Sequence, residues 1–147
     1  MKDTELYLKC KHPDQIEMAT YITTSMGDRG KELMDQYKAS MSKLTLSDLD
    51  KLKVKNNQWN QSFKKLIEKN MQPHSKKVQG LIAENYKNNI LPYYKPTHEE
   101  FIRLVELSIT HPISKNKYDQ VHPDFSCFYL QAVKHFIQSD LIDNVQA

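Results

Sequence analysis

From Asp28 to Ile137 the apolar residues recur three and four positions apart, the spacing that gathers one face of an α-helix, and the interruptions fall at helix-ending residues. Leu33, Met34, Tyr37 and Met41 form the first stripe of this kind. Leu49, Leu52, Asn56, Trp59, Phe63, Leu66 and Ile67 form the longest, predicting a helix from about Leu46 to Met71 with that side inward. Thr45 or Ser47 can cap it, and Asp48 suits its positive dipole end. Pro73 breaks the pattern and Ser75 restarts it, so that Val78, Leu81, Ile82, Tyr86, Asn89 and Ile90 mark a helix reaching Leu91. Pro92 and Pro96 bracket a connector, Tyr93-Tyr94-Lys95. Thr97 with Glu100 makes a capping box, in which hydroxyl and carboxylate each satisfy a free backbone N–H. The helix it opens carries Phe101, Leu104, Val105 and Leu107 and ends near His111-Pro112.

Ser114-Lys115-Asn116-Lys117 reads as a polar loop. His122-Pro123-Asp124 then starts the last long helix, with Phe125, Phe128, Tyr129, Ala132, Val133, Phe136 and Ile137 inward. Upstream, Pro13-Asp14 opens a weak helix that carries Ile16, Ala19, Tyr21 and Ile22 and stops near Gly27. Glu5 to Lys9 alternates and reads as extended or frayed, and Leu141-Ile142 reads as a frayed turn or a short helix. The prediction is one all-α domain of about five to seven helices. Residues 1–30 are read as a weakly helical N-terminal segment and a candidate for mobility, and 31–147 as the helical domain proper.

Composition supports this reading. The chain has 147 residues, enough for a single core, and only 3 Gly, poor material for tight β-turns. A net charge of +3 is mildly basic, but the lysines are scattered among 18 acidic residues and form no stripe, so no direct nucleic-acid contact is expected. No apolar run is long enough for a signal peptide or a membrane span. Two cysteines, Cys10 and Cys127, make no disulfide framework, and a cytoplasmic location with reduced thiols is the default expectation. Cys127 sits in an apolar run and is expected to be buried and inert.

No catalytic constellation emerges. The six histidines include no H-x-x-x-H or H-E-x-x-H pair, and neither a calcium loop, a glycine-rich phosphate loop nor a G-x-S-x-G elbow occurs. No metal, no cofactor and no enzymatic activity are therefore expected. Glu99 and Glu100 are adjacent and diverge by about 100° on a helix, which disfavours a shared-proton dyad. His98 reads first as a solvent-facing residue of the first turn. The richer signal is aromatic. Phe63, Phe101, Phe128 and Phe136 suit ordinary core packing, whereas Tyr93, Tyr94 and Tyr118 suit the wall of an apolar cleft with polar handles.

The order of these features resembles a known family. Gln58-Trp59 in a long helix is followed by Leu66-Ile67 and Met71, then Pro73, Val78-Gln79 and the Tyr-Tyr connector. Leu104-Val105-Glu106-Leu107, Tyr118-Asp119, Pro123, Phe128 and Ala132-Val133 complete the series. This resembles the TipAS domain, the antibiotic-recognition domain at the C-terminus of some MerR-type activators, over roughly Lys31 to Ile137. The resemblance implies a globin-like helical arrangement around a cleft that takes large, partly apolar, often polycyclic antibiotics, with no enzyme activity. Too few residues precede the matching region for a DNA-binding segment, so the chain is expected to be a free-standing version. Asn85 stands where a family histidine is usual, and Pro96 and Arg103 stand at the positions of cysteines that capture thiopeptides covalently in some members.

The expected function is noncovalent binding of such a molecule, for recognition or sequestration, by Trp59, Phe63, Asn85, Tyr86, Tyr93, Tyr94, His98, Phe101, Tyr118 and Phe128. The alternative is a helical protein-interaction adaptor, homodimeric in one version, which would show a filled core without a cleft.

Overall fold

The computed structural model describes residues 13–139 and 141–145, and every element among them is helical. The extended or frayed reading of Glu5 to Lys9, and Cys10, lie outside the described residues. In chain order the helices are α1 (Pro13–Met41), α2 (Leu46–Glu68), α3 (Lys76–Asn85), α4 (His98–Thr110), α5 (Pro112–Val121), α6 (Phe125–Gln138) and α7 (Leu141–Val145), with a π-helical turn over Tyr86–Ile90 after α3. The all-α expectation is met.

α1 consists of two arms. Gly27 between them has φ 64 and ψ −143, a conformation that residues with a Cβ avoid. The break lies where the sequence pattern ends its first helix. It lets Ile22 on one arm and Leu33 and Met34 on the other converge on Leu104 and Leu107 of α4, forming a small core of their own. The bend is tight: a Cβ on Gly30 would lie 2.7 Å from the Ile22 carbonyl oxygen and 2.8 Å from the Met26 Cβ.

Local chemistry sets the other boundaries. Thr45 caps α2 in a reciprocal box with Asp48. At the far end Asn70 takes φ 58. The Asn70 N–H then bonds the Ile67 carbonyl and the Met71 N–H the Leu66 carbonyl, a Schellman closure in which asparagine fills the usual glycine place. α3 does not run on to Leu91 as the apolar spacing predicts. The Leu91 N–H reaches back five residues to the Tyr86 carbonyl, widening the last turn before the connector.

Two readings are corrected. The predicted loop at Ser114–Lys117 is part of α5, because the extended His111 caps it through Nδ1, Pro112 fits its first turn and Lys115 pairs with Asp119 at 2.8 Å. Cys127 is exposed. The buried positions of α6 are Phe125, Tyr129, Ala132, Val133 and Phe136, and residue 127 falls off that stripe; its Sγ accepts a bond from Gln131 at 3.3 Å.

The main core gathers Phe63 and Ile67 of α2, Val78 and Ile82 of α3, Tyr86, Phe101 and Val105 of α4, the α6 stripe and Ile142 of α7. One polar side chain is buried within it. Gln79 donates from Nε2 to the Pro73 carbonyl at 2.8 Å and the Ala132 carbonyl at 3.0 Å, tying the turn before α3 to α6.

Arg29 joins the two cores. Its Nε donates to Glu100 Oε2 at 2.7 Å, while Glu100 Oε1 accepts from the Thr97 N–H at 2.8 Å. The capping carboxylate of α4 thus also anchors the second arm of α1. The Arg29 hydrogen bond, with help from Thr97, holds the Glu100 carboxyl below its ordinary value of 4.5. A carboxyl with a depressed folded pKa stabilises the fold fully above the unfolded value and loses that contribution as pH falls through the folded one. Glu100→Gln is expected to cost about 1 kcal/mol at neutral pH, with the gap to wild type closing below pH ~4, as followed by urea denaturation across pH. In the same assay Gly27→Ala and Gly30→Ala should each cost about 1–3 kcal/mol, the first through backbone strain and the second through collision with a carbonyl.

Candidate functional site

The helix that defines the site is α2, and it is half anchored. Its C-terminal part is fixed by Phe63, fully buried, and Ile67. Trp59 stacks on Phe63 with ring centroids 4.8 Å apart and an interplanar angle of 14°, and its indole N–H donates to the Leu81 carbonyl at 2.8 Å. N-terminal to this anchor the helix is largely uncovered by the described residues. Residues 53–58 are all exposed, more than a full turn with no covered face. The inward stripe predicted from Leu49 through Phe63 is therefore closed only at its lower end. Leu49 and Leu52 are half-buried, and Asn56 is exposed.

Two depressions follow from this. The outer one, about 510 Å³, runs between α2, the end of α1 and the π-helical turn; Tyr37, Met41, Leu49, Leu52, Asn57, Asn89 and Tyr93 line it together with Asp50 and Lys53. The inner one, about 270 Å³, is bounded by Trp59, Asn60, Asn85, Ile90, Tyr118, Phe125 and Tyr129. Asn56 lines both, so they meet across one α2 side chain. The walls are aromatic rings and side-chain amides; Asp50 and Lys53 are the charged residues among them.

Tyrosine hydroxyls gather behind the inner depression. Tyr118 stacks on Phe125 at 5.0 Å and 13°. The Tyr129 oxygen accepts from Asn85 Nδ2 at 3.2 Å, and Asn85 Oδ1 in turn accepts from Asn89 Nδ2 at 2.8 Å. Burial pushes the Tyr118 hydroxyl up to about 12. Burial also raises Tyr129 well above the usual phenol value, with Tyr118 and Tyr94 adding to the effect and the Asn85 bond opposing it. Tyr94 is raised by burial and by its neighbours Tyr37 and Tyr118. These rings stay neutral donors over the whole physiological range. In the outer groove Tyr93 is raised by burial and by nearby Asp48.

The ten residues expected at the site divide into three sets. Trp59, Asn85 and Tyr118 line the inner pocket and Tyr93 the outer groove. Tyr94 packs against the small core and meets Tyr37 edge-on at 5.7 Å, its hydroxyl coupled to those of Tyr118 and Tyr129. Phe63, Tyr86 and Phe101 are core residues behind the cleft; half-buried Phe128 packs edge-on against Phe63 at 5.4 Å, and half-buried His98 sits in the first turn of α4. None of these five lines either depression. Their apolar periodicity marks an inward face without marking which part of it stays uncovered. Most of the lining was not among the residues expected from the sequence, including Tyr37, Leu49, Leu52, Asn56, Asn57 and Asn89 in the outer groove and Asn60, Ile90, Phe125 and Tyr129 in the inner pocket. The available signal was asparagine clustering on α2 and around the π-helical turn, where good helix formers would otherwise be favoured.

The fold and site define an all-helical domain with a neutral, two-part cleft along one helix. Residues 25–136 match the TipAS antibiotic-recognition domain, and the chain belongs to that family of ligand-recognition domains. No curated protein and no solved structure matches the chain. Among the described residues no helix is long and apolar enough to cross a membrane, and no group of three or more metal-ligating side chains comes together.

The buried hydroxyls give an alkaline signature. A phenol whose folded pKa is raised stabilises the fold fully below the unfolded value and loses that contribution as pH rises through the folded one. Spectrophotometric titration should therefore show Tyr94, Tyr118 and Tyr129 ionising above the usual phenol range, with stability falling between pH ~10 and about 12. Tyr118→Phe should remove one of the late ionisations.

Proposed function

We propose that the cleft beside α2 binds a large, partly apolar, antibiotic-like molecule noncovalently and holds it without converting it. The observation that carries this reading is the cleft itself: a family member in which Trp59, Tyr93, Tyr118 and Tyr129 line open space beside the exposed half of α2. The combined build, aromatic surface with a few placed polar groups, is that of small-molecule sites in general. Stacking and apolar contact supply the affinity, and the asparagine amides fix orientation.

Reversibility is part of the proposal. Pro96 is buried at the end of the connector and Arg103 is an exposed residue of α4, so neither offers the sulfur nucleophile that covalent capture would need. The exposed thiol of Cys127 is on α6 and lines neither depression. The adaptor alternative requires a filled core with no cleft, and the two depressions weigh against it.

A panel of polycyclic and thiopeptide antibiotics should contain members that raise the melting temperature in proportion to occupancy; a ligand at 100 times its Kd adds about 2.7 kcal/mol. The shift should vanish on dialysis, and intact-mass spectrometry should show no adduct. Leu52→Glu, in the wall of the outer groove, should weaken the shift while changing the ligand-free melting temperature little. A broad panel with no shift, or a stable adduct, would count against the reading.

A further inference from the structure

The inner pocket contains two hydroxyl protons without protein acceptors. Tyr129 already accepts from Asn85, and the amide orientation is set by Asn89 bonding Asn85 Oδ1, so the remaining capacity of the Tyr129 hydroxyl is its own proton. Tyr118 is half-buried, stacks on Phe125, makes no hydrogen bond to another described residue and lines the same pocket. Both are held in their protonated form by burial. A hydroxyl donor that lines a cavity without a protein acceptor is free to bond an acceptor on a ligand. The rest of that wall is Trp59, Phe125, Ile90 and the side-chain amides of Asn56, Asn60 and Asn85, and among the described residues no charged side chain lines it.

The geometry points to a division of labour in the cleft. The inner pocket takes an uncharged aromatic head group carrying a hydrogen-bond acceptor, which Tyr118 and Tyr129 hold by donation. The outer groove, lined by side-chain amides and Tyr93, takes the elongated remainder of the same molecule past Asn56. Tyr118 and Tyr129 are then the specificity-determining residues. An anionic head meets no cation in this pocket. A cationic head offers no acceptor to the donor pair, and the ring faces it would need are partly occupied, since Phe63 stacks on Trp59 and Tyr118 on Phe125. This assignment rests on the ligand-binding reading above and names the chemistry of one end of that ligand.

Trp59 is the single tryptophan of the chain and lines the pocket, so its indole N–H resonance reports occupancy directly. The test uses the full chain, labelled with nitrogen-15, and three probes of like shape at mildly alkaline pH: quinoline, which is neutral and carries an acceptor; naphthalene, which carries none; and N-methylquinolinium, which is cationic with its acceptor blocked. Quinoline should shift the Trp59 signal saturably and bind about three- to tenfold more tightly than either of the others, the range of one or two net hydrogen bonds. The Tyr118→Phe, Tyr129→Phe double variant should bring quinoline down to the level of naphthalene. Naphthalene binding, retained in that variant, shows that the pocket still folds. Equal binding of quinoline and naphthalene, tightest binding of the cation, indifference to the double variant, or no saturable shift with any probe would each overturn the assignment. Thermal shift by intact antibiotics reads the parent proposal separately: antibiotics that bind while quinoline shows no preference remove the head-group assignment and leave cleft binding standing.

Discussion

The stack of Trp59 on Phe63 decides where α2 lies, and the rest of the cleft depends on that. Phe63 is fully buried and touches Phe125, Phe128 and Tyr129 of α6, with centroids between 5.1 and 6.0 Å. Trp59, one turn earlier, is fixed from two sides: by the Phe63 ring and by its indole bond to the Leu81 carbonyl of α3. Aromatic pairs of this kind add about 0.5–1.5 kcal/mol beyond the area they bury. They hold the lower half of a helix whose upper half touches little. A long helix clamped at one end keeps its direction, because its backbone bonds are internal. Open space beside residues 49–57 can therefore persist without a covering element.

The opposite side of the cleft is positioned by a different device. The π-helical turn widens the chain just before Pro92, and the Tyr93 and Tyr94 N–H groups both return to the Ile90 carbonyl at 3.1 Å. The Tyr93 carbonyl accepts from Ser40, and Gln36 accepts from the Lys95 N–H. These bonds attach the connector to the end of α1, which the Arg29–Glu100 pair and the Gly27 break have already fixed against α4. One wall is thus set by ring packing and the other by backbone hydrogen bonds. The asparagines lie between them, at Asn56 and Asn57 from one side and Asn85 and Asn89 from the other.

How much of this was legible in the sequence follows from which interactions are local. The capping box at Thr97–Glu100, a cap at Thr45 or Ser47 and the break at Gly27 each involve residues within one turn, and the pattern carries them; the reciprocal Asp48 bond is what the structure adds. The second role of Glu100, its bond to Arg29 across 71 positions, leaves no local trace. α5 was missed because its stability comes from a cap and an ion pair on a polar segment, with no apolar stripe to count. The π-helical turn was missed because Tyr86, Asn89 and Ile90 fit α-helical spacing as well. The site shows the deeper limit. Leu49, Leu52, Asn56, Trp59 and Phe63 are one stripe in the sequence, yet only Phe63 among them is fully covered. Periodicity specifies a face; whether another element lies over it is a tertiary fact.

The tyrosines show what such a face costs when it stays open. Tyr86 is sealed between Phe101 and Phe136 and contributes as a core ring. Tyr118 and Tyr129 contribute rings too, stacked or tilted against Phe125 at 5.0 and 5.9 Å, but both residues also line the inner pocket. Phenylalanine at 118 would pack as well and would leave no donor without a protein acceptor, so folding alone gives no reason for a tyrosine there. The same holds for Asn56, where leucine would continue the stripe and help close α2 onto the body. Both positions give up stability where the cleft needs polarity, which is the usual relation between a binding surface and the fold that carries it. On the proposed reading the ligand completes both, covering the free half of α2 and accepting the protons that the protein leaves unmatched.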